Sequence, residues 1–501
     1  MPREHLKLIE PPDPNLKPRG CKRGQKQKSQ LKTTSGHRRR ELLADVIGHA
    51  LSHPEPYRTK PSSVSAPNHD MTGHSLSTWL SVPNNSNSSA ESTYSSMSSS
   101  SNTYPPSSYD ARSETASRYT SDGSTDSVPH AVPRLYNSLS GKSRVVSLSG
   151  MASIQDVEQL AARYGSMSHM GLLDPSYSVF VNEERTGAIC FKTLYKVAVV
   201  MGDPMCGAEQ FHGLLSEFNR YRRRKHWDMA VLGAKGELVR YFNEAKSRST
   251  ILQFARERVL NPLTNSVINE TSGKRIVTQC RQLLDPHKGA ITLESYIPSS
   301  QEPNYKLEAE LRALYDDWCT ARNRSRRPQA FITEYNPFLM PNLMTYVYTT
   351  GPDGRINGFA GLRWIGANGG YHIDPCIAAP GSRNGISDLL LFASMAYLRQ
   401  LGISYLSLGY EPLDSLDPVS TMHPLVAQLT QRIYRHTFRR LPISGKRAYF
   451  DKFKPDDDQD APVYLVFPSR VPEPRQVVAV AHVANISIRR LFLGDKHKAP
   501  S

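Results

Sequence analysis

No run in this 501-residue chain approaches the ~20 consecutive apolar residues that cross a bilayer, so any work on lipid is expected from the surface. Disulfides are not expected either. The six cysteines (Cys21, Cys190, Cys206, Cys280, Cys319 and Cys376) have neither metal-ligand spacing nor a disulfide framework, which points to free thiols in a reducing compartment. The opening MPREHLKLIEPPDPNLKP has no apolar core segment, which excludes a signal peptide, and a cytoplasmic protein is expected. There is no G-x-S-x-G elbow and no papain-like cysteine context, so those covalent nucleophiles are excluded. Acidic residues are outnumbered, 46 against 62 basic, and the net charge of +16 calls for an anionic partner, nucleic acid or an anionic membrane surface. Hydrophobic residues are scarce as well, at 38%, and the deficit is concentrated in the first 150 positions.

Residues 1–148 are accordingly expected to be a disordered basic and then Ser-rich tether, dispensable for chemistry. Within it, Arg38, Arg39 and Arg40 lead into ELLADVIGHAL, where Leu42, Leu43, Val46, Ile47 and Leu51 share one helical face. That stripe suits a membrane-surface helix, a partner-docking helix or a transient helix in a disordered arm. The pattern changes near Ile154. Apolar runs such as SVFV, AICFKTL, KVAVVM and DMAVLGA alternate with helical stretches such as AEQFHGLLSEFNRY, whose Phe211, Leu214, Leu215 and Phe218 share a face. Leu307, Leu311, Leu314 and Trp318 mark another helix, and Pro352-Asp353-Gly354 marks a hairpin between LMTYVYTT and INGFAGLRWI. GISDLLLFASMAYLRQLG reads as a helix, residues 424–440 as another, and YLVFPS as a last strand. The fold class is mixed α/β (α+β), with one half over 149–330, a second over 331–470 and a basic, apolar tail over 471–501. That tail is expected either to touch a membrane or to pack on the second half.

An ordered series of short motifs runs through residues 152–470. Gly202-Asp203-Pro204 follows a strand, His372-Ile373-Asp374 closes one, and Asn384-Gly385 precedes Asp388 at a helix start; Leu408-Gly409, Pro412-Leu413 and Lys452-Phe453-Lys454-Pro455 come after. In this order the chain resembles the C-terminal domain of the phosphatidylglycerol lysyltransferases. The resemblance implies two tandem GNAT-like (acetyltransferase-like) halves, the second carrying the active site. It also implies transfer of an amino acid from aminoacyl-tRNA to a membrane lipid by a peripherally bound enzyme. Bacterial members usually carry an Arg three residues after the strand-end Asp, where this chain has Ile377. In that respect, and in its Ser-rich N-terminal region, the chain looks more like the fungal branch that aminoacylates ergosterol, with free-standing forms similar to ergosteryl-glycine synthase. The implied partners are aminoacyl-tRNA, glycyl-tRNA first, and a sterol or a phospholipid such as phosphatidylglycerol.

An aminoacyl ester is already activated, so no cofactor, metal or ATP is expected; positioning, proton removal and oxyanion stabilisation suffice. The candidate catalytic residues are Asp374, Asp388, Glu411 and Lys454. Asp374 would bind the substrate ammonium or act as base, and Lys454 would meet the oxyanion or a 3′-terminal phosphate. Arg383, Asn384 and Gly385, in a Gly-containing loop before a helix, are expected at tRNA phosphates together with Arg447 and Lys452. Arg355–Ala360 fits an acetyl-CoA pattern but sits in a hairpin, where it cannot open a helix. Competing readings are an acyl-CoA-dependent acetyltransferase and a non-catalytic scaffold for tRNA or membrane.

Overall fold

The computed structural model describes residues 41–53, 144–148, 154–245, 249–323, 336–418, 431–432 and 444–485. In chain order the principal elements are α1 (Leu43–Ser52), β1 (Arg144–Ser147), α2 (Ile154–Tyr164), β2 (Ser178–Val181), β3 (Ala188–Leu194), β4 (Val197–Met201), α3 (Phe211–Arg224), β5 (Asp228–Ala234), α4 (Gly236–Glu244) and β6 (Thr250–Leu260). They continue with α5 (Lys274–Leu284), β7 (Thr292–Tyr296), α6 (Tyr305–Asn323), β8 (Met344–Thr350), β9 (Ile356–Ile365), β10 (Gly370–Ala378), α7 (Ile386–Gln400), β11 (Leu406–Pro418), α8 (Ser444–Asp451), β12 (Ala461–Phe467) and α9 (Pro474–Val483).

The strands form one twelve-stranded sheet in the order β1-β2-β3-β4-β5-β12-β6-β11-β10-β9-β8-β7. A pattern occurs twice: antiparallel β2, β3 and β4, then α3, then β5 parallel to β4; and antiparallel β8, β9 and β10, then α7, then β11 parallel to β10. The sheet runs continuously across the boundary expected at 330, because β7 pairs with β8 and β12 returns between β5 and β6. Antiparallel steps from β5 to β12, β6 and β11 make β5 run opposite to β11. The C-terminus of α3 and the N-terminus of α7 therefore point toward the same end of the sheet.

Alternation along the strands divides the core. Val179, Val199, Tyr346 and Phe359 belong to an apolar layer with Val157 of α2, Leu311 of α6 and Val480 of α9. Their strand neighbours face the other way: Phe180 and Val200 pack with α3 and α4, and Val347 and Ala360 pack with α1, α5 and α7. As the spacing predicts, Phe211, Leu214, Leu215 and Phe218 are the buried face of α3.

Three expectations are corrected. The 1–148 segment contains α1 and β1, which are both part of the fold. In α1 the buried stripe is Leu43, Ala44, Ile47, Gly48 and Leu51, and it lies on α7, leaving Leu42 and Val46 half-buried. The helix pattern was legible; its partner was not, since a core and a membrane ask for the same apolar stripe. Second, the helical part of the tail, α9, packs on β4 and β5 rather than on the second half, with Gln476 Nε2 donating to Met229 O at 3.0 Å. Third, the sequence pattern predicts no element over residues 250–260, which form the central strand β6. The helix expected over 424–440, apart from residues 431–432, which are helical, the Ser-rich stretch over 61–143 and the tail beyond 485 lie outside the described residues. Among the described residues, no helix is long and apolar enough to cross a membrane.

Candidate functional site

Helix α7 opens at Gly385, whose φ of 97° lies in the left-handed region that glycine tolerates. Asp388 stands in the first turn, where the helix dipole favours a carboxylate. Its side chain is 12% exposed and meets Lys452 Nζ at 2.6 and 2.7 Å, one bond to each oxygen. Lys452 in turn lies 4.2 Å from the ring centre of Tyr449, a cation–π contact, and Tyr449 OH donates to Ser387 O at 3.1 Å. The backbone carbonyls of Phe453 and Lys454 accept from Asn265 Nδ2 at 2.8 and 3.0 Å, which fixes this turn. Lys454 itself is exposed, at φ 55°.

Asp374 is half-buried at a bulge in β10, between Ile373 and Cys376. The Cys376 thiol is pushed up to about 12, first by burial and then by the charges of Asp388 and Asp374. Cys376 Sγ lies 3.6 Å from Ser387 O, so β10 meets the first turn of α7 beside Asp388.

Glu411 belongs to a second cluster. It is buried on β11 opposite Arg256 of β6. Arg256 donates to its Oε1 from Nη2 at 2.7 Å and from Nε at 3.2 Å, Arg258 Nε lies 3.2 Å from Oε2, and Arg447 Nε lies 3.5 Å from Oε1. Arg258 also binds Asp457 at 2.7 Å and Asp460. Burial alone would weaken the basicity of Arg258, but Asp457 and Asp460 together raise it. With three guanidinium partners, Glu411 is built to hold arginines; Arg256 and Arg447 keep 32% and 52% of their side chains exposed. Helix α8 and the turn after it join the two clusters, since they carry both Arg447 and Lys452.

Arg383 is exposed and donates from Nη1 to Lys288 O at 2.5 Å. Asn384 O accepts from Gln279 Nε2 at 3.0 Å, so α5 latches the loop before α7. Arg256, Arg258, Tyr449 and Asp460 are site neighbours that the sequence reading missed. The available signal was the charged triplet Arg256-Glu257-Arg258 between the apolar pairs Phe254-Ala255 and Val259-Leu260.

On the opposite sheet face, Gly202-Asp203-Pro204 forms a buried polar corner. His169 Nδ1 accepts from Ser166 N at 2.9 Å, so its Nε2 donates to Asp203 O at 2.8 Å. Burial lowers the His169 pKa to about 4, and burial raises that of Asp203 to about 6. The two act on stability with opposite sign. His169 stays neutral in the fold while the unfolded chain protonates near pH 6.5, so stability falls as pH drops from about 6.5 to 4, by about 3 kcal/mol. Asp203 takes up its proton earlier in the fold than in the unfolded chain, so stability rises by about 3 kcal/mol as pH drops from about 6 to 4. These contributions nearly cancel. His169→Gln is expected to gain stability between pH 7 and pH 5 relative to the parent, and Asp203→Asn to lose it; urea unfolding at both pH values reads the two slopes. Parallel slopes in both variants would contradict these assignments.

Residues 158–467 match the family model described as "Phosphatidylglycerol lysyltransferase, C-terminal". Among solved structures, the chain is similar to L-PGS from Bacillus licheniformis, with 18% identity and a TM-score of 0.50 over 68% of this chain and 98% of that one. It is also similar to the C-terminal domain of a putative lysylphosphatidylglycerol synthetase from Agrobacterium fabrum, with 19% identity and a TM-score of 0.50 over 67% and 99%. A comparison with curated proteins finds no match. At these identities the structural likeness is one of fold, and the family assignment comes from the sequence match. Matched over more than half its length, the chain belongs to the phosphatidylglycerol lysyltransferase C-terminal family.

Proposed function

We propose that this protein transfers the aminoacyl group of an aminoacyl-tRNA to a hydroxyl of a membrane lipid. The observation that carries the proposal is the Asp388–Lys452 pair at the opening of α7, inside the segment that matches the family. The lipid oxygen attacks the ester carbonyl, its proton passes to a carboxylate, and the tRNA 3′ oxygen leaves and takes a proton. The chemistry asks for no cofactor, metal or ATP. Asp374 is assigned to the substrate ammonium or to the proton. Asp388 and Glu411 are assigned to positioning, through Lys452 and the arginines. Lys454 is assigned to the oxyanion or a 3′ phosphate, and Arg383, Asn384, Gly385 and Arg447 to tRNA phosphates. The repeated strand–helix pattern supports two acetyltransferase-like halves, acting in the cytoplasm at a membrane surface.

Phosphatidylglycerol is the acceptor that the family match favours. A second reading, a sterol such as ergosterol esterified with glycine, is favoured by Ile377, which is 4% exposed in the core where the resemblance places an arginine. Total-lipid analysis of a host containing both acceptors, expressing this chain, separates the readings. A ninhydrin-positive phosphatidylglycerol, lost on RNase treatment of the lysate assay, is the expected product. A ninhydrin-positive sterol ester would select the second reading, and no new lipid from folded protein supplied with aminoacyl-tRNA would overturn both.

A further inference from the structure

The N-terminal ends of β4 and β5, the last turn of α3 and the helix α9 meet in one surface. Asp228 N donates to Lys196 O at 2.8 Å, Trp227 N donates to Arg222 O at 3.0 Å, and Tyr195 OH lies 2.7 Å from His482 Nδ1 of α9. Arg223, Arg224, Lys225 and Lys196 are exposed there, and among the described residues no carboxylate pairs with them. The nearby acids are occupied, since Arg475 binds both Asp228 at 2.6 Å and Glu473 at 2.8 Å. Apolar side chains stand out in water next to Lys196 and on either side of the Glu473–Arg475 segment: Tyr195 is 53% exposed, Val477 48% and Val471 56%.

We propose that this surface is a docking face for an anionic lipid bilayer. Cations at a helix C-terminus are favourable with the dipole alone, but the dipole accounts neither for Lys196, on a separate turn, nor for the exposed valines. Exposed Lys and Arg at the same end of the sheet as an exposed Tyr and aliphatic side chains suit the interface of an anionic membrane, with long basic stems reaching headgroup phosphates and apolar groups entering below them. A purely RNA-binding face would use the charges and the tyrosine and leave the valines without a role. The face stands on charge and exposure, independently of the transferase reading. It looks toward the same end of the sheet as the opening of α7.

The test uses the full chain with vesicles of phosphatidylcholine, with and without phosphatidylserine. Binding is expected only with phosphatidylserine, and salt should weaken it. Combining Arg223→Glu, Arg224→Glu and Lys225→Glu, all exposed and remote from the core, is expected to lower vesicle affinity by roughly a hundredfold or more, at about fivefold per charge removed. Val477→Asp should weaken vesicle binding while leaving RNA binding unchanged. Vesicles should also slow amide exchange in residues 192–198, 220–228 and 471–478. The proposal is overturned if the parent binds no vesicles, if the triple variant binds them as the parent does, if protection falls only in other segments, or if the variants lose RNA binding and keep vesicle binding.

Discussion

Asp388→Asn is expected to slow aminoacyl transfer by about a hundredfold or more, the scale of a lost proton-transfer or charge-positioning group, with the fold intact. The side chain is nearly isosteric and still accepts one bond from Lys452, but it no longer anchors the ammonium at 2.6 and 2.7 Å by charge. Because Lys452 keeps 36% of its side chain exposed, water covers part of the loss, and the stability cost is expected near 1–2 kcal/mol. Lys452→Met is the more damaging partner for stability, about 2–4 kcal/mol, because it strands a buried carboxylate. It should slow transfer by a similar factor. If the pair works as one unit, the double variant costs little more than either single change. The measurement is single-turnover transfer from labelled aminoacyl-tRNA, alongside urea midpoints. Full rates in both single variants would reduce the pair to a structural clasp, and additive losses would separate the two roles.

Much of this neighbourhood was legible in the sequence, and the parts that were not share a cause. The Asn384-Gly385 and Asp388 signal placed a helix start, and the helix is there, because a left-handed glycine and a first-turn carboxylate are local properties. The hairpin at Pro352-Asp353-Gly354 was readable for the same reason. Glu411 was different. As a lone acid between Gly409 and Pro412 it looked available, and nothing nearby in sequence shows that β6 brings Arg256 and Arg258 against it from more than 150 residues away. Strand β6 itself escaped because Arg256, Glu257 and Arg258 break the apolar run that would have marked it. Their charges are tolerated only because Glu411, Asp460 and Lys235 arrive from other elements. The place of β12 between β5 and β6 is equally non-local.

Ile47→Ala and Leu51→Ala are each expected to destabilise the protein by about 2–4 kcal/mol, although the first 148 residues read as a dispensable tether. Both side chains are at most 1% exposed against α7 and its neighbours. Helix α1 is pinned at both ends: Leu43 N donates to Glu270 Oε1 at 2.8 Å, and Ser295 Oγ of β7 donates to Leu51 O at 2.8 Å. Midway, a β-carbon at Gly48 would stand 2.6 Å from Ala396 O of α7, so Gly48→Val should push the helix off its seat. The double alanine variant is expected to lose less than the sum of its parts, because once α1 leaves, further trimming removes nothing more. Removing residues 1–53 should then equal or exceed that loss, with the bare face of α7 promoting aggregation. Denaturant midpoints across this series give the docking energy of α1. An unchanged midpoint in Ile47→Ala and Leu51→Ala would make the helix a passenger. Because α7 carries Asp388 at its opening, a seated α1 should also be felt in catalysis: Gly48→Val, far from any proposed ligand contact, is expected to slow transfer in proportion to the α1 it dislodges.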